Sequence, residues 1–208
     1  MVIIITGASH SGKTILAQKI LERCKFPYLS IDHLKMGLIR SKNTNLTPYD
    51  DDALTPYLWN IVREIIKTVI ENNQNLIVEG CYIPADWKQD FEQRYLTEIR
   101  FCCLCLSPKY IRTQYIRTHF SDIIRHASDI ELRLDDSECT ADWLEKENSR
   151  YAVFCKKNNL PLIMIETNYI EEIDALIPIL TSGDIEAVRA EIKEYFKKSK
   201  NPIKEQTQ

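Results

Sequence analysis

The octapeptide GASHSGKT, Gly7 to Thr14, gathers the residue types needed to hold a polyphosphate. Gly7 and Gly12 let the backbone curl so that successive N–H groups point inward at phosphate oxygens. A helix starting inside the loop adds the partial positive charge of its N-terminus. Lys13 supplies a full cation for the terminal phosphates, and the Thr14 hydroxyl suits Mg²⁺. Ala8, Ser9, His10 and Ser11 fill the variable positions, where backbone amides do the binding and the His10 side chain is incidental. The bland alternative, a glycine turn with an exposed lysine, gives no reason for the strand before the loop and the helix after it. Two carboxylates further along also sit where strands end. Asp32 follows YLSI and either caps the next helix or belongs to a site. Glu79 closes the run NLIVE, and Gly80 behind it lets the chain turn without a side chain in the way.

Short apolar runs alternate with longer stretches of helical spacing, and these elements must bring the loop and the carboxylates together. VIIIT is the first strand and TILAQKILERC the helix after it; FPYLSI is the second strand and LKMGLIR a helix. In LTPYLWNIVREIIKTVIENN, Leu58, Ile61, Val62, Ile65, Ile66, Val69 and Ile70 recur at helical spacing, with Asn72 and Asn73 as the stop. NLIVEG is the third strand, PADWKQDFEQRYL a helix entered through Pro84, and IRFCCLCL the fourth strand. Ser107 and Pro108 open a further helix to about Arg117. TADWLEKENSRYAVFCKKNN is helical and LPLIMIE is the fifth strand. Two helices close the chain, at about Tyr169–Leu180 and Ile185–Lys198. This alternation implies an α/β fold of three layers, α/β/α, around a five-stranded, mostly parallel sheet covered on both faces. Ligands then belong at the carboxyl ends of the strands, where Gly7–Thr14, Asp32 and Glu79 all fall. The polar, arginine-bearing stretch at about 118–136 reads as a helical lid inserted in a domain spanning 1–182. Residues 183–208 read as an amphipathic helix with a basic tail.

GASHSGKT between a strand and a helix resembles the loop of the P-loop NTPase superfamily. The chain has no N-K-x-D stretch, unlike the guanine-specific branch. Its small size and lid-like insertion are similar to the nucleoside-monophosphate-kinase-like group of small-molecule kinases, over most of residues 1–180. It departs from adenylate kinase, lacking the extra glycine after Lys13 and the arginine-bearing segment after the third strand. It departs from shikimate kinase, lacking a glycine-triple turn there. The ending IVEG…P looks most like the 2-phosphoglycerate-kinase-like and zeta-toxin-like kinases, which phosphorylate hydroxyls of small anionic metabolites or nucleotide sugars. The resemblance implies ATP and Mg²⁺ as cofactors, with Lys13 and Thr14 on nucleotide and metal. It implies that Asp32 positions or deprotonates the acceptor hydroxyl, since phosphoryl transfer depends on alignment and charge stabilisation. It implies a metal or acceptor role for Glu79, where P-loop proteins typically carry aspartate. Arg40, about two turns past Asp32, either holds an anionic acceptor or sits in solvent, with Lys35 a weaker candidate for the same task. Arg117 and Arg125 in the lid, with Arg133 and Arg112 behind them, would neutralise the moving phosphoryl group.

A net charge of −3 over 208 residues argues against nucleic acid or an anionic membrane as partner. No apolar run reaches membrane-spanning length, and the N-terminal run is too short and lacks the basic flank of a signal peptide. A cytoplasmic enzyme is expected, and a homodimer is admitted. The seven cysteines are odd in number and irregular in spacing, unlike a disulfide framework. FCCLCL reads as a buried strand rather than a metal site, because Cys102 and Cys103 face opposite ways. The acids of PYDDDAL read as the cap and first turn of a helix. Trp59, Trp87 and Trp143 read as packing residues, Arg150 as a residue of a helix face, and His119 and His126 as surface residues. The expectation is an ATP-dependent kinase acting on a hydroxyl or phosphate of a small anionic metabolite. The alternatives are a nucleotide or polynucleotide-end kinase and a non-catalytic ATP-binding regulatory module.

Overall fold

Six consecutive buried residues, VIIITG, form β1 (Val2–Gly7), the central strand of the sheet. The computed structural model describes residues 1–114 and 139–182. The sheet adds β2 (Tyr28–Ser30), β3 (Leu76–Glu79), β4 (Ile99–Leu106) and β5 (Leu162–Ile165), in the order β2-β3-β1-β4-β5. Every pairing is parallel. A central parallel strand is covered on both faces, which is why β1 and β4 are apolar without alternation. Val2, Ile4, Val78, Phe101, Cys103 and Cys105 point to one face, and Ile3, Ile5, Ile77, Cys102 and Leu104 to the other. Cys102 and Cys103 thus belong to opposite layers, and all seven cysteines are free thiols.

Helices close each face. On one side lies α3 (Asp51–Glu71), whose Leu54, Leu58, Trp59, Val62 and Ile66 are buried at helical spacing. On the other side α1 (Lys13–Cys24) contributes Leu16, Ala17 and Ile20. The short α2 (Ile31–Arg40) leaves β2 directly. A single turn, α4 (Gln93–Leu96), precedes β4, and α5 (Pro108–Gln114) follows it. In α6 (Ala141–Lys157), the Thr140 hydroxyl caps the N-terminus by accepting from Trp143 N, 3.2 Å away. The last described helix, α7 (Tyr169–Thr181), buries Ile173, Leu176, Ile177 and Leu180 beside α1. No described helix is long and apolar enough to cross a membrane.

One expected helix differs. PADWKQDFEQRYL forms a 3₁₀ turn at Trp87–Asp90, an extended Phe91 and then the single turn of α4. Trp87, Phe91 and Tyr95 have helical spacing, yet they converge as an aromatic cluster with Phe101. Asp90 is drawn away from any helical role: it accepts from Trp59 Nε1 at 2.7 Å and from Arg63 at 3.0 Å. These contacts with α3 outweigh the modest intrinsic preference for continuing a helix. Pro84 accordingly lies in an irregular connection rather than in a first helical turn.

Candidate active site

The loop between β1 and α1 is fixed by its own backbone. Gly12 has φ 84°, a conformation that side chains other than glycine's strain to adopt, and the helix begins at the next residue. Lys13, 9% exposed, folds back so that Nζ donates to the Ala8 carbonyl at 2.8 Å. Ser9 Oγ lies 3.1 Å from His10 Nδ1, and the His10 ring meets Trp143 edge-on at 6.1 Å between centroids. Fully buried Ser11 holds its hydroxyl without a hydrogen-bond partner among the described residues.

Strand order supplies the next component. β3 lies beside β1 with Glu79 opposite Ile5, so the carboxylate emerges next to the loop. Thr14 Oγ1 donates to Glu79 Oε2 at 3.3 Å, and Glu79 is only 1% exposed. Two side-chain oxygens on adjacent elements form the start of a hard-cation ligand set, which fits Mg²⁺. Behind them Gly80, at φ 154°, donates its N–H to Ile5 O at 3.1 Å. A Cβ at Gly80 would lie 2.9 Å from Ile31 Cβ, so glycine permits the close approach of α2.

Asp32 stands in the first turn of α2, with Ser30 in the N-cap position. Its Oδ1 is 3.1 Å from Lys35 Nζ. Lys35 also donates to the Tyr82 hydroxyl at 2.7 Å, and that hydroxyl donates to Asp51 Oδ1 at 2.8 Å. Burial above all, then the charges around it, push the Tyr82 phenol far above the ordinary tyrosine range, so it stays a donor. Burial and the neighbouring Asp32 likewise push the Cys81 thiol up to about 11, while Lys13 and Lys35 pull the other way. A cavity of about 290 Å³ opens beside this chain of polar groups. It is lined by Asp51, Asp52 and Thr55 of α3, by Cys81–Pro84, and by Arg150, Tyr151 and Phe154 of α6.

The structure therefore brings Lys13, Thr14 and Glu79 together, and sets Asp32 at the same end of the sheet. It leaves Arg40 exposed at the far end of α2; neither Arg40 nor Asp32 lines the cavity, and Asp32 connects to it through Lys35 and Tyr82. Arg112 is exposed and paired through both guanidinium and carboxylate with Glu145. Arg117, Arg125 and Arg133, the lid at about 118–136 and the segment 183–208 lie outside the described residues. Cys81, Tyr82, Arg150 and Tyr151 were not singled out by sequence as site residues. Their only signal was position: Cys81 and Tyr82 follow Glu79-Gly80 directly, whereas the contribution of α6 carries no local pattern. Lys35, the weaker candidate beside Arg40 for holding an anionic acceptor, pairs with Asp32 and donates to Tyr82.

Known structures share this architecture. Deoxyadenosine kinase from M. mycoides, solved with dCMP and dCDP, is 15% identical with a TM-score of 0.50, over 86% of this chain and 98% of that one. A Chloroflexus aurantiacus protein, provisionally assigned as a kinase, is 19% identical with a TM-score of 0.50, over 85% and 94% of the two chains. At these identities the likeness concerns the fold. No curated protein matches the chain. The family model for chloramphenicol phosphotransferase-like protein matches residues 1–105, half of the 208. Within that span fall the phosphate loop, Asp32, Glu79 and the strand order that joins them. This P-loop, kinase-like phosphotransferase belongs to the chloramphenicol phosphotransferase-like family.

Proposed function

We propose that the enzyme transfers the γ-phosphoryl group of Mg–ATP to a hydroxyl of a small molecule seated in the cavity beside Asp32. The observation that supports this reading is the convergence at one sheet end of Lys13, Thr14 and Glu79 with Asp32, which Lys35 and Tyr82 connect to an open cavity. Loop amides and Lys13 would bind the triphosphate. Thr14 and Glu79 would hold Mg²⁺, which supplies charge neutralisation at the phosphate oxygens. Asp32, steadied by Lys35, would accept the proton of the acceptor hydroxyl and align its oxygen. Arg117 and Arg125 are proposed to act on the transferring group. The cavity volume, about 290 Å³, lies at the small end of ligand sites, which start at about 300 Å³. Such a space suits the body of a small alcohol rather than a strand end. Two aspartates against one guanidinium in its lining favour a neutral alcohol over the anionic metabolite expected from sequence.

The test uses calorimetry with Mg–ATP, then ATP labelled at the γ-phosphate with neutral alcohols, sugar phosphates and nucleoside monophosphates as acceptors. Transfer to a neutral alcohol is expected. Asp32→Asn should retain Mg–ATP affinity and lose turnover by about 10²-fold or more. Labelled nucleoside diphosphates would instead mark a nucleotide kinase. Mg–ATP binding without transfer to any acceptor would mark a regulatory module.

A further inference from the structure

The phosphate loop has a support from the opposite end of the chain. Tyr169, the first residue of α7, donates its hydroxyl to the Gly12 carbonyl at 2.7 Å, across 157 positions of sequence. The same carbonyl accepts from Leu16 N at 3.0 Å. Two donors therefore fix the orientation of the peptide unit joining Gly12 to Lys13. In a trans peptide the C=O and the following N–H point in opposite directions. A carbonyl held outward toward α1 and Tyr169 leaves the Lys13 N–H facing into the loop, where phosphate oxygens would lie.

Glycine at position 12 serves this contact as well as the backbone turn. A Cβ there would fall 1.7 Å from the Tyr169 hydroxyl oxygen. Burial pushes the Tyr169 phenol well above its ordinary range, so it remains a donor. Its place is set from both sides. The Glu172 carboxylate accepts from the N–H groups of Glu166, Thr167 and Asn168 at 2.7 to 3.2 Å, ordering the turn that delivers Tyr169. Asp174 on α7 pairs with Lys19 and Arg23 of α1, each at 2.8 Å. We propose that Tyr169 is a positioning residue for the nucleotide phosphates, acting through the Gly12–Lys13 peptide rather than by touching the ligand. The inference rests on phosphate binding by this loop.

The experiment titrates the full chain and its Tyr169→Phe variant by calorimetry, with Mg–ATP and separately with magnesium tripolyphosphate. Phenylalanine keeps the ring and removes only the hydroxyl. The dissociation constants for both ligands should rise by the same factor, on the order of three- to tenfold. The ligand-induced shift of the Lys13 amide resonance should shrink, and the thermal midpoint should move by no more than about 4 °C. Equal affinities in the two proteins would overturn the inference. A loss seen with ATP but not with tripolyphosphate would also overturn it, because the hydroxyl would then serve the base. Failure of the unmodified chain to bind either ligand would instead remove the nucleotide-binding reading beneath it.

Discussion

At the scale of single residues, the cavity holds a built-in reporter of its own charge. The Cys81 thiol is pushed up to about 11, first by burial and next by Asp32, with Asp51 adding to the same side. Removing a nearby negative charge favours the thiolate. Asp32→Asn should therefore lower the Cys81 value and speed its alkylation by iodoacetamide near pH 8, read at the Cys81 peptide by mass spectrometry. Unchanged alkylation would place the Asp32 charge away from the cavity and withdraw its proposed role beside the acceptor. The readout needs no known substrate, and the other thiols leave it clear: apart from Cys24, they are buried. Lys13, Thr14, Asp32 and Glu79 could be picked out in sequence because each lies at a strand end or at the start of the helix that follows one, and a parallel sheet gathers those ends. Tyr82 and Tyr169 were not, because what matters in each is a hydroxyl aimed at a group on a distant segment. Spacing along the chain carries no trace of such a contact.

At the scale of elements, β1, β3, β4 and β5 were readable as short apolar runs, and α3 as a long amphipathic one. The segment after Pro84 was not, because the spacing of Trp87, Phe91 and Tyr95 satisfies a helix as well as an aromatic cluster. The choice was made by Asp90, which binds Trp59 and Arg63 of α3. Pairing of α1 with α7 is the other element-level feature invisible in sequence, and it has a pH signature. The hydrogen bond from Lys19, with Arg23 assisting, holds the Asp174 carboxyl below its ordinary 3.8. A depressed acid contributes stability that is fully present above 3.8 and is lost as pH falls through the lower folded value. Asp174→Asn should therefore have a lower urea midpoint than the unmodified chain at pH 7. The two midpoints should converge as the pH is taken down to about 2. A gap that persists in acid would mean that the asparagine disturbs packing and that the ion pair is not its cause.

At the scale of the whole molecule, the family match ends at residue 105, but the core does not. Residues 1–105 contain β1 to β3, most of β4 and the helices α1 to α4, together with the phosphate loop, Asp32 and Glu79. They lack β5, which pairs with Cys103–Leu106 of β4, and they lack α5, α6 and α7. Ile173, Leu176, Ile177 and Leu180 of α7 are at most 3% exposed. Burying each such side chain is worth about 1.5–3 kcal/mol, so together they approach the entire stability of a typical domain, about 5–15 kcal/mol. Asn148 of α6 adds a buried acceptor for Leu106 N at 2.7 Å, and Tyr169 carries the phosphate loop from behind. Cutting after residue 105 would bare one flank of the sheet, turn β4 into a long apolar edge and release Gly12 from its second donor. A fragment of residues 1–105 should consequently show no cooperative thermal transition and poor amide dispersion by NMR, while the full chain melts cooperatively. A fragment that melted sharply and bound Mg–ATP would make the first half an autonomous domain. The contribution of α7 to the site would then be an accessory rather than part of what makes the loop competent.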